Sequence, residues 1–309
     1  MWVRILSILA ALSLTVMVFA FAESAHGGAA VGGDETEVGL ARTKPALPWS
    51  APDAEQSEPM IAEMKANFGR EFRYATVGPW LIATDMDADE LSSTADSTIG
   101  TYAASIQRQL FTKKVVTQPL KVLLFKDGES YEKWNKKLYN ERPTTPYGYF
   151  SRAKRALVMN IGTGGGTLIH EMTHAMAEAD FPAIPAWLNE GLGSLYEAAA
   201  MDSKHHVIGI KNWRLKGLLD DLKKGTAAHY RTLIGISDGD FYGENRGANY
   251  ASMRYLMQWL QDKGKLEAFY VRIRDAKDEK PQDALRALFD NKYTIEEIEG
   301  QVYAWVKTL

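Results

Sequence analysis

Thr167-Leu-Ile-His170-Glu171-Met-Thr-His174-Ala-Met-Ala-Glu-Ala-Asp180 and, past a proline-marked break, Pro185-Ala-Trp-Leu-Asn-Glu190-Gly-Leu-Gly-Ser-Leu-Tyr-Glu197 are the residues from which the rest of the chain is read. Residues four apart on an α-helix stack on one face. A helix capped by Thr167, with Leu168, Ile169, Met172 and Ala175 as its apolar side, therefore brings His170 and His174 to one point. Two imidazoles so placed reach one zinc ion, at about 2.0–2.1 Å each. Glu171 lies about 100° around the helix from His170. It is near such a metal without ligating it, where it can take a proton from water. A catalytic zinc site needs a third protein ligand and an open position. Phe181-Pro182 and Ile184-Pro185 end the first helix and start a second, which carries Glu190 sixteen residues after His174. Two helices joined in this way can face each other across a metal, so His170, His174 and Glu190 are the expected ligand set. Glu197 faces the same way as Glu190 and is a candidate to orient a ligand histidine through its second ring nitrogen, a structural or solvated role being the alternative. Asp180 is a further candidate for that outer role.

The composition supports a metal of this kind by exclusion. With 0 cysteines, disulfide scaffolds, thiolate zinc sites, iron–sulfur clusters and cysteine nucleophiles are absent, so a metal must be held by imidazole and carboxylate. A chain of 309 residues, 46% hydrophobic and 24% charged, is that of an ordinary globular protein, which excludes collagen-like, wholly disordered and multispan membrane classes. A net charge of -3 gives no reason to expect a nucleic-acid partner. Of the remaining histidines, His205 and His206 read as a surface pair and His26 falls in a linker. The glycine-rich run Gly162 to Thr167 lacks the third glycine of a dinucleotide fingerprint and any Gly-Lys-Ser/Thr, so it reads as an entry loop and not as a phosphate loop. The basic turn Ser151 to Arg155 reads as a solvated hairpin tip.

Arg4 precedes an uncharged run from Ile5 to Ala22, which ends in the small-x-small pattern Ala20-Phe21-Ala22. This predicts a signal peptide over 1–22, cut before Glu23, and a periplasmic or secreted product. The alternative is an uncleaved membrane anchor, the run of 18 residues being at the lower limit for a span. Residues 23–58, rich in Ala, Gly, Glu, Ser and Pro, predict a flexible linker or propeptide. The folded part is then 59–309, with an α/β portion over 59–174 and a helical portion over 175–309.

Within it, Phe72–Val77 and Trp80–Thr84 read as a hairpin around Gly78-Pro79. Asp87 or Asp89 would cap a helix reaching about Lys113. Strands are expected at Pro119–Phe125, Tyr147–Phe150 and Ala156–Ile161, with a helix over Glu129–Leu138. Everything after Gly166 reads as helical: Thr167–Ala179, Ala186–Ala200, a segment around Trp213–Leu222, Asn249–Lys263, Leu266–Asp275, Gln282–Phe289 and Thr294–Lys307. The last carries a capping box, Thr294 with Glu297. Strands and helices mix in the first half and helices fill the second, which predicts an α+β fold with a small, mostly antiparallel N-terminal sheet.

The segments HEMTHAM and PAWLNEGLGSLYE resemble those of the gluzincin metallopeptidases, and more closely those of the smaller bacterial peptidase MA-like domains. The resemblance is firm over 167–197 and weaker over 241–264 and 298–305. It implies a zincin-like fold, zinc on His170, His174 and Glu190, Glu171 as general base, and a peptide or protein substrate. The strand Ala156–Ile161 would be the edge that pairs with extended substrate. A later helix would supply a donor to the developing oxyanion, for which Tyr250, Tyr242, His229 and Arg254 are candidates. Aminopeptidase members carry a glutamate upstream that holds the substrate's amino group, and the stretch Ala156–Gly166 has none, so an endopeptidase, or an enzyme acting on an unusual amide, is implied. Two other expectations stay open: a zinc-binding scaffold or chaperone-like protein of the same fold without turnover, which would not need Glu171, and a metal-free binding module.

Overall fold

The computed structural model describes residues 46–276 and 278–309. The expected signal segment and most of the expected linker lie outside the described residues. The first half runs α1 (Ala54–Phe68), β1 (Arg73–Val77), β2 (Trp80–Thr84), α2 (Ala88–Ser93), α3 (Ala104–Gln109), β3 (Leu120–Phe125), α4 (Gly128–Tyr139), β4 (Gly148–Ser151) and β5 (Ala156–Asn160). Two helices follow, α5 (Gly165–Asp180) and α6 (Ala186–Tyr196), then β6 (Ala199–Met201) and β7 (Val207–Gly209). The chain ends in α7 (Arg214–Lys224), α8 (Tyr230–Leu233), α9 (Asp238–Phe241), α10 (Arg246–Asp262), α11 (Leu266–Asp275), α12 (Pro281–Ala287) and α13 (Ile295–Val306). The fold is α+β, as the segregation of strands and helices predicts.

The main sheet has the order β1-β2-β3-β5-β4. It is mixed, not mostly antiparallel: β2, β3 and β5 are mutually parallel, and β1 and β4 flank them antiparallel. The cause lies in the connections. A helical stretch, α2 through a wider-wound Thr94–Ala103 to α3, carries the chain from β2 back to the end where β3 begins, and a return of that kind makes neighbours parallel. The expected substrate edge, Ala156–Ile161, is β5, and both of its sides are taken by β3 and β4; the free edge on that flank is β4.

Side-chain alternation sorts the strands onto two faces. Leu81, Ala83, Leu123, Phe125, Ala156 and Val158 point toward α1 and α4, where they meet Phe68, Phe72, Tyr131 and Trp134. Trp80, Ile82, Val122, Leu124, Leu157 and Met159 point the other way, into a core that includes Leu168, Met172, Leu188, Leu256, Met257 and Val302. That core runs without interruption across the expected division at residue 174.

The described fold includes residues upstream of the expected start at 59. Trp49 is buried, sits edge-on to Trp80 at 5.5 Å between centroids, and donates from Nε1 to Gln107 Oε1 at 3.0 Å. Asp53 caps α1, a helix that its internal Pro59 and its mostly exposed surface hide from a periodicity reading. The expectation of helix throughout the second half is corrected at β6 and β7. These end the expected 186–200 helix at Tyr196 and form a small antiparallel pair. Among the described residues no helix is long and apolar enough to cross a membrane.

Candidate metal centre

Helix α5 starts two residues before the expected cap. Gly164, at φ 107°, is its N-cap, and Thr167 lies inside the first turn with Oγ1 3.4 Å from Thr163 Oγ1. The glycines around this start serve close packing. A Cβ on Gly166 would lie 2.1 Å from the Glu197 carbonyl oxygen, so α5 can sit against the end of α6 only without a side chain there. Gly193 plays the same part at the centre, where a Cβ would lie 3.0 Å from His174 Cε1 and 3.1 Å from His170 Cε1 and Nε2. The two imidazoles rest on the bare backbone of α6.

His170, His174 and Glu190 are buried and converge. Their ligand atoms all lie within 4.8 Å of one another. The rings are perpendicular, 4.7 Å apart, and His170 Nε2 and His174 Nε2 lie 3.2 and 3.4 Å from the same oxygen, Glu190 Oε2. Each ring's other nitrogen faces outward onto an acceptor. His174 Nδ1 is 2.9 Å from Asn189 Oδ1. His170 Nδ1 is 3.3 Å from Glu197 Oε2, an ion-pair approach and not a formed hydrogen bond. A proton on each Nδ1 leaves both Nε2 lone pairs for the centre, which is the tautomer a metal requires.

The surroundings demand positive charge here. Burial opposes ionisation of Glu190, but His174 and His170 outweigh it and hold its carboxyl well below the usual range. Burial likewise opposes Glu197, and His170 and Arg214 bring it down to about 2. For His170, burial works against the cation, yet Glu190 and Glu197 push its pKa up to about 10, and His174 moves up by the same opposition. Two buried carboxylates thus call for a cation between them, supplied by imidazolium protons or by a metal. The donor set of two imidazole nitrogens and one carboxylate oxygen fits a divalent transition ion.

The candidates of the outer layer divide. Glu197 does face His170, and it is held by Asn212 Nδ2 at 2.7 Å and by Arg214 Nε and Nη2 at 2.7 and 3.1 Å. Tyr242 donates its hydroxyl to Glu190 Oε1 at 2.8 Å. Tyr250 lies beside it, ring centroids 6.5 Å apart. Burial, and then the Glu190 charge, push both hydroxyls' pKa up, so both remain protonated donors. Glu171 stays out of the cluster and is half-buried.

Three candidates are corrected. Asp180 does not orient a ligand histidine. Its carboxylate accepts from Lys113 N (2.6 Å), Lys114 N (2.7 Å), Tyr270 Oη (2.8 Å) and Arg274 Nη1 (2.9 Å), and it ties the end of α5 to α11. His229 turns away to Glu299 Oε1 at 2.9 Å on α13, with 77% of its side chain exposed. Arg254 is buried, bonded to Gln258 Oε1 at 2.7 Å and to the Ile210 carbonyl. Sequence reasoning missed Asn189, Asn212, Arg214 and Gly193. Of these, Asn189 carried a signal, since it is the residue beside the third ligand. A cavity of about 480 Å³, lined by Met86, Asp89, Glu90, Lys126 and Gly162 among others, lies beyond the ends of β2, β3 and β5 and contains none of the ligand set.

No protein-family model matches this chain, and no curated protein matches it. The centre is therefore read from its own residues: a buried His170–His174–Glu190 cluster that could hold a metal ion.

Proposed function

We propose that the chain is an exported, zinc-dependent metallopeptidase of the gluzincin kind, acting as an endopeptidase. The observation that carries the reading is the convergence of two Nε2 atoms and one carboxylate oxygen, with Glu171 next to the first ligand yet outside the set. His170, His174 and Glu190 would hold a zinc ion, which would supply Lewis acidity toward a carbonyl oxygen and toward bound water. Glu171 accepts the proton of the attacking water and returns it to the leaving amine. Tyr250, kept protonated beside Glu190, donates to the carbonyl oxygen as charge develops on it, and Tyr242 can do so only by turning its hydroxyl away from Glu190. Asn189 and Glu197 keep the two ligand rings turned to the centre. The free edge of β4, next to α5, offers main-chain groups to an extended peptide.

The test is cleavage of a peptide library, with mass-spectrometric readout and metal analysis of the same samples. Wild-type protein is expected to carry one zinc ion per chain and to cleave internal bonds. Glu171→Gln keeps the zinc and loses about 10³-fold or more in kcat, within the range ascribed to general acid–base groups. His174→Ala and Glu190→Ala lose the metal. Metal released by Glu171→Gln but retained at wild-type affinity by Glu190→Ala overturns the assignment. Stoichiometric zinc with no cleavage by wild type favours the scaffold without turnover. Export is tested separately: the mature protein from its host should begin at or near Glu23, and Met1 or Trp2 on a membrane-bound product favours the anchor.

A further inference from the structure

The basic turn that follows β4 does not wholly point into solvent. Arg152 folds back onto α5, where its Nε and Nη2 donate to Glu178 Oε2 and Oε1 at 2.7 and 2.5 Å. Glu178 is mostly covered, with 17% of its side chain exposed, while the Arg152 side chain is 71% exposed. Exposed ion pairs add little to stability, so the effect of this one is to fix where the guanidinium stands. A guanidinium carries five N–H groups in a rigid fork. Glu178 takes two of them, and among the described residues no other acceptor takes the remaining three. The place where the cation is held lies close to the metal centre. Glu178 follows His174 by four residues on α5, so it lies on the same helix face, about 6 Å further along. The bond to Glu178 raises the Arg152 pKa, burial opposes this, and the charges of Glu178, Tyr242 and Asp238 add to the rise. Arg152 is thus within electrostatic reach of Tyr242, whose hydroxyl donates to Glu190 Oε1 at 2.8 Å.

We propose that Arg152 is a specificity-determining residue that receives a carboxylate of the bound peptide, two or three residues from the bond being cleaved. This rests on the peptidase reading above. β4 ends at Ser151, so a peptide added to its free edge passes Arg152 at the end of the strand. An extended chain advances about 3.3 Å per residue. Two or three residues therefore cover the helical turn that separates His174 from Glu178 and bring a side chain over the guanidinium bound there. The three unused N–H groups suit a carboxylate, which a guanidinium binds through two parallel hydrogen bonds. Because Glu178 already restrains the arginine, little side-chain freedom is lost when the anion binds. An Asp or Glu side chain and the peptide's own C-terminus offer the same chemistry.

The experiment uses zinc-loaded Glu171→Gln protein, which binds without cleaving, and fluorescently labelled, otherwise uncharged ten-residue peptides with Glu or Gln at successive positions. Each is made with a free and with an amidated C-terminus, and anisotropy gives the affinities. At one or two positions the Glu peptide should bind about tenfold more tightly than its Gln counterpart, as for a charge-assisted hydrogen bond. A preference that instead follows the free C-terminus identifies that carboxylate as the anion. The added change Arg152→Gln should remove the preference. Arg152→Glu should reverse it, so that Lys at the same position, or an amidated end, binds best, with zinc content and Tm unchanged; a merely structural ion pair would give no such reversal. Equal affinities throughout, no binding of any peptide, or a preference that survives Arg152→Gln each overturn the proposal. Cleavage of internal bonds by the Glu171-bearing form alongside equal affinities removes this proposal and leaves the peptidase reading. An Arg152-dependent preference in a protein whose Glu171-bearing form cleaves nothing supports carboxylate binding by Arg152 and removes the peptidase reading.

Discussion

Two buried carboxylates, Asp180 at the end of α5 and Glu190 within α6, are built on different chemistry. Asp180, the last residue of α5, is surrounded by two backbone amides, a tyrosine hydroxyl and a guanidinium. The amides and the guanidinium can only donate and the hydroxyl donates here, so the carboxylate is saturated by four donors. Glu190 instead faces two imidazole nitrogens, which either donate or accept according to where the proton sits. Its neighbourhood can exchange protons for a metal ion without rearranging. Burial and an acidic group are common to both clusters. The kind of partner separates a latch from a centre.

That distinction is open to breakage. The largest effect should come from the latch. Asp180→Ala leaves two backbone amides and the Tyr270 hydroxyl without their acceptor, while Arg274 keeps Asp275, and each buried donor left unsatisfied costs about 1–3 kcal/mol. Denaturant unfolding of the metal-free protein should show that loss, while zinc per folded molecule stays at the wild-type value. Loss of zinc from folded Asp180→Ala would mean that the two clusters are not independent.

At the centre the expected effects are smaller and fall on function. Tyr250→Phe should lower kcat by about 10²-fold with KM, zinc content and Tm nearly unchanged, as for a donor that acts only in the transition state. Wild-type kcat would pass the role to Tyr242. Glu197→Gln, read by chelator competition, should weaken metal binding about 10-fold, the lower end of the effect of losing a partner that orients a ligand histidine. An unchanged affinity would make Glu197 a structural partner of Arg214 alone.

Much of the centre was legible because its parts are local. The spacing of His170 and His174 needs only a helix, and the prolines at 182 and 185 place Glu190 on a second one. The hairpin at Gly78-Pro79 and the capping box of Thr294 with Glu297 were legible for the same reason. The parallel pairing of β2 with β3 is compatible with the helical stretch between them but does not follow from it alone. What misled was similarity of residue type. Asp180 and Glu197 look alike as acidic residues near the ligands, and His229 looks like any donor on a later helix. Each is decided by a partner far away in the chain: Asp180 by Tyr270 and Arg274, Glu197 by Asn212 and Arg214, His229 by Glu299.

The amino-acid sequence by itself determined the α+β class, the paired helices and the clustering of His170, His174 and Glu190, because these follow from the order of periodic segments, proline breaks and residue spacing. Only the tertiary structure decided that β4 and not β5 is the free edge, that Glu197 and not Asp180 stands behind His170, that Asn189 turns His174, and that Arg152 pairs with Glu178. Those outcomes depend on which surfaces pack together across long stretches of chain. Packing is set by the fit of whole faces, which no local spacing encodes.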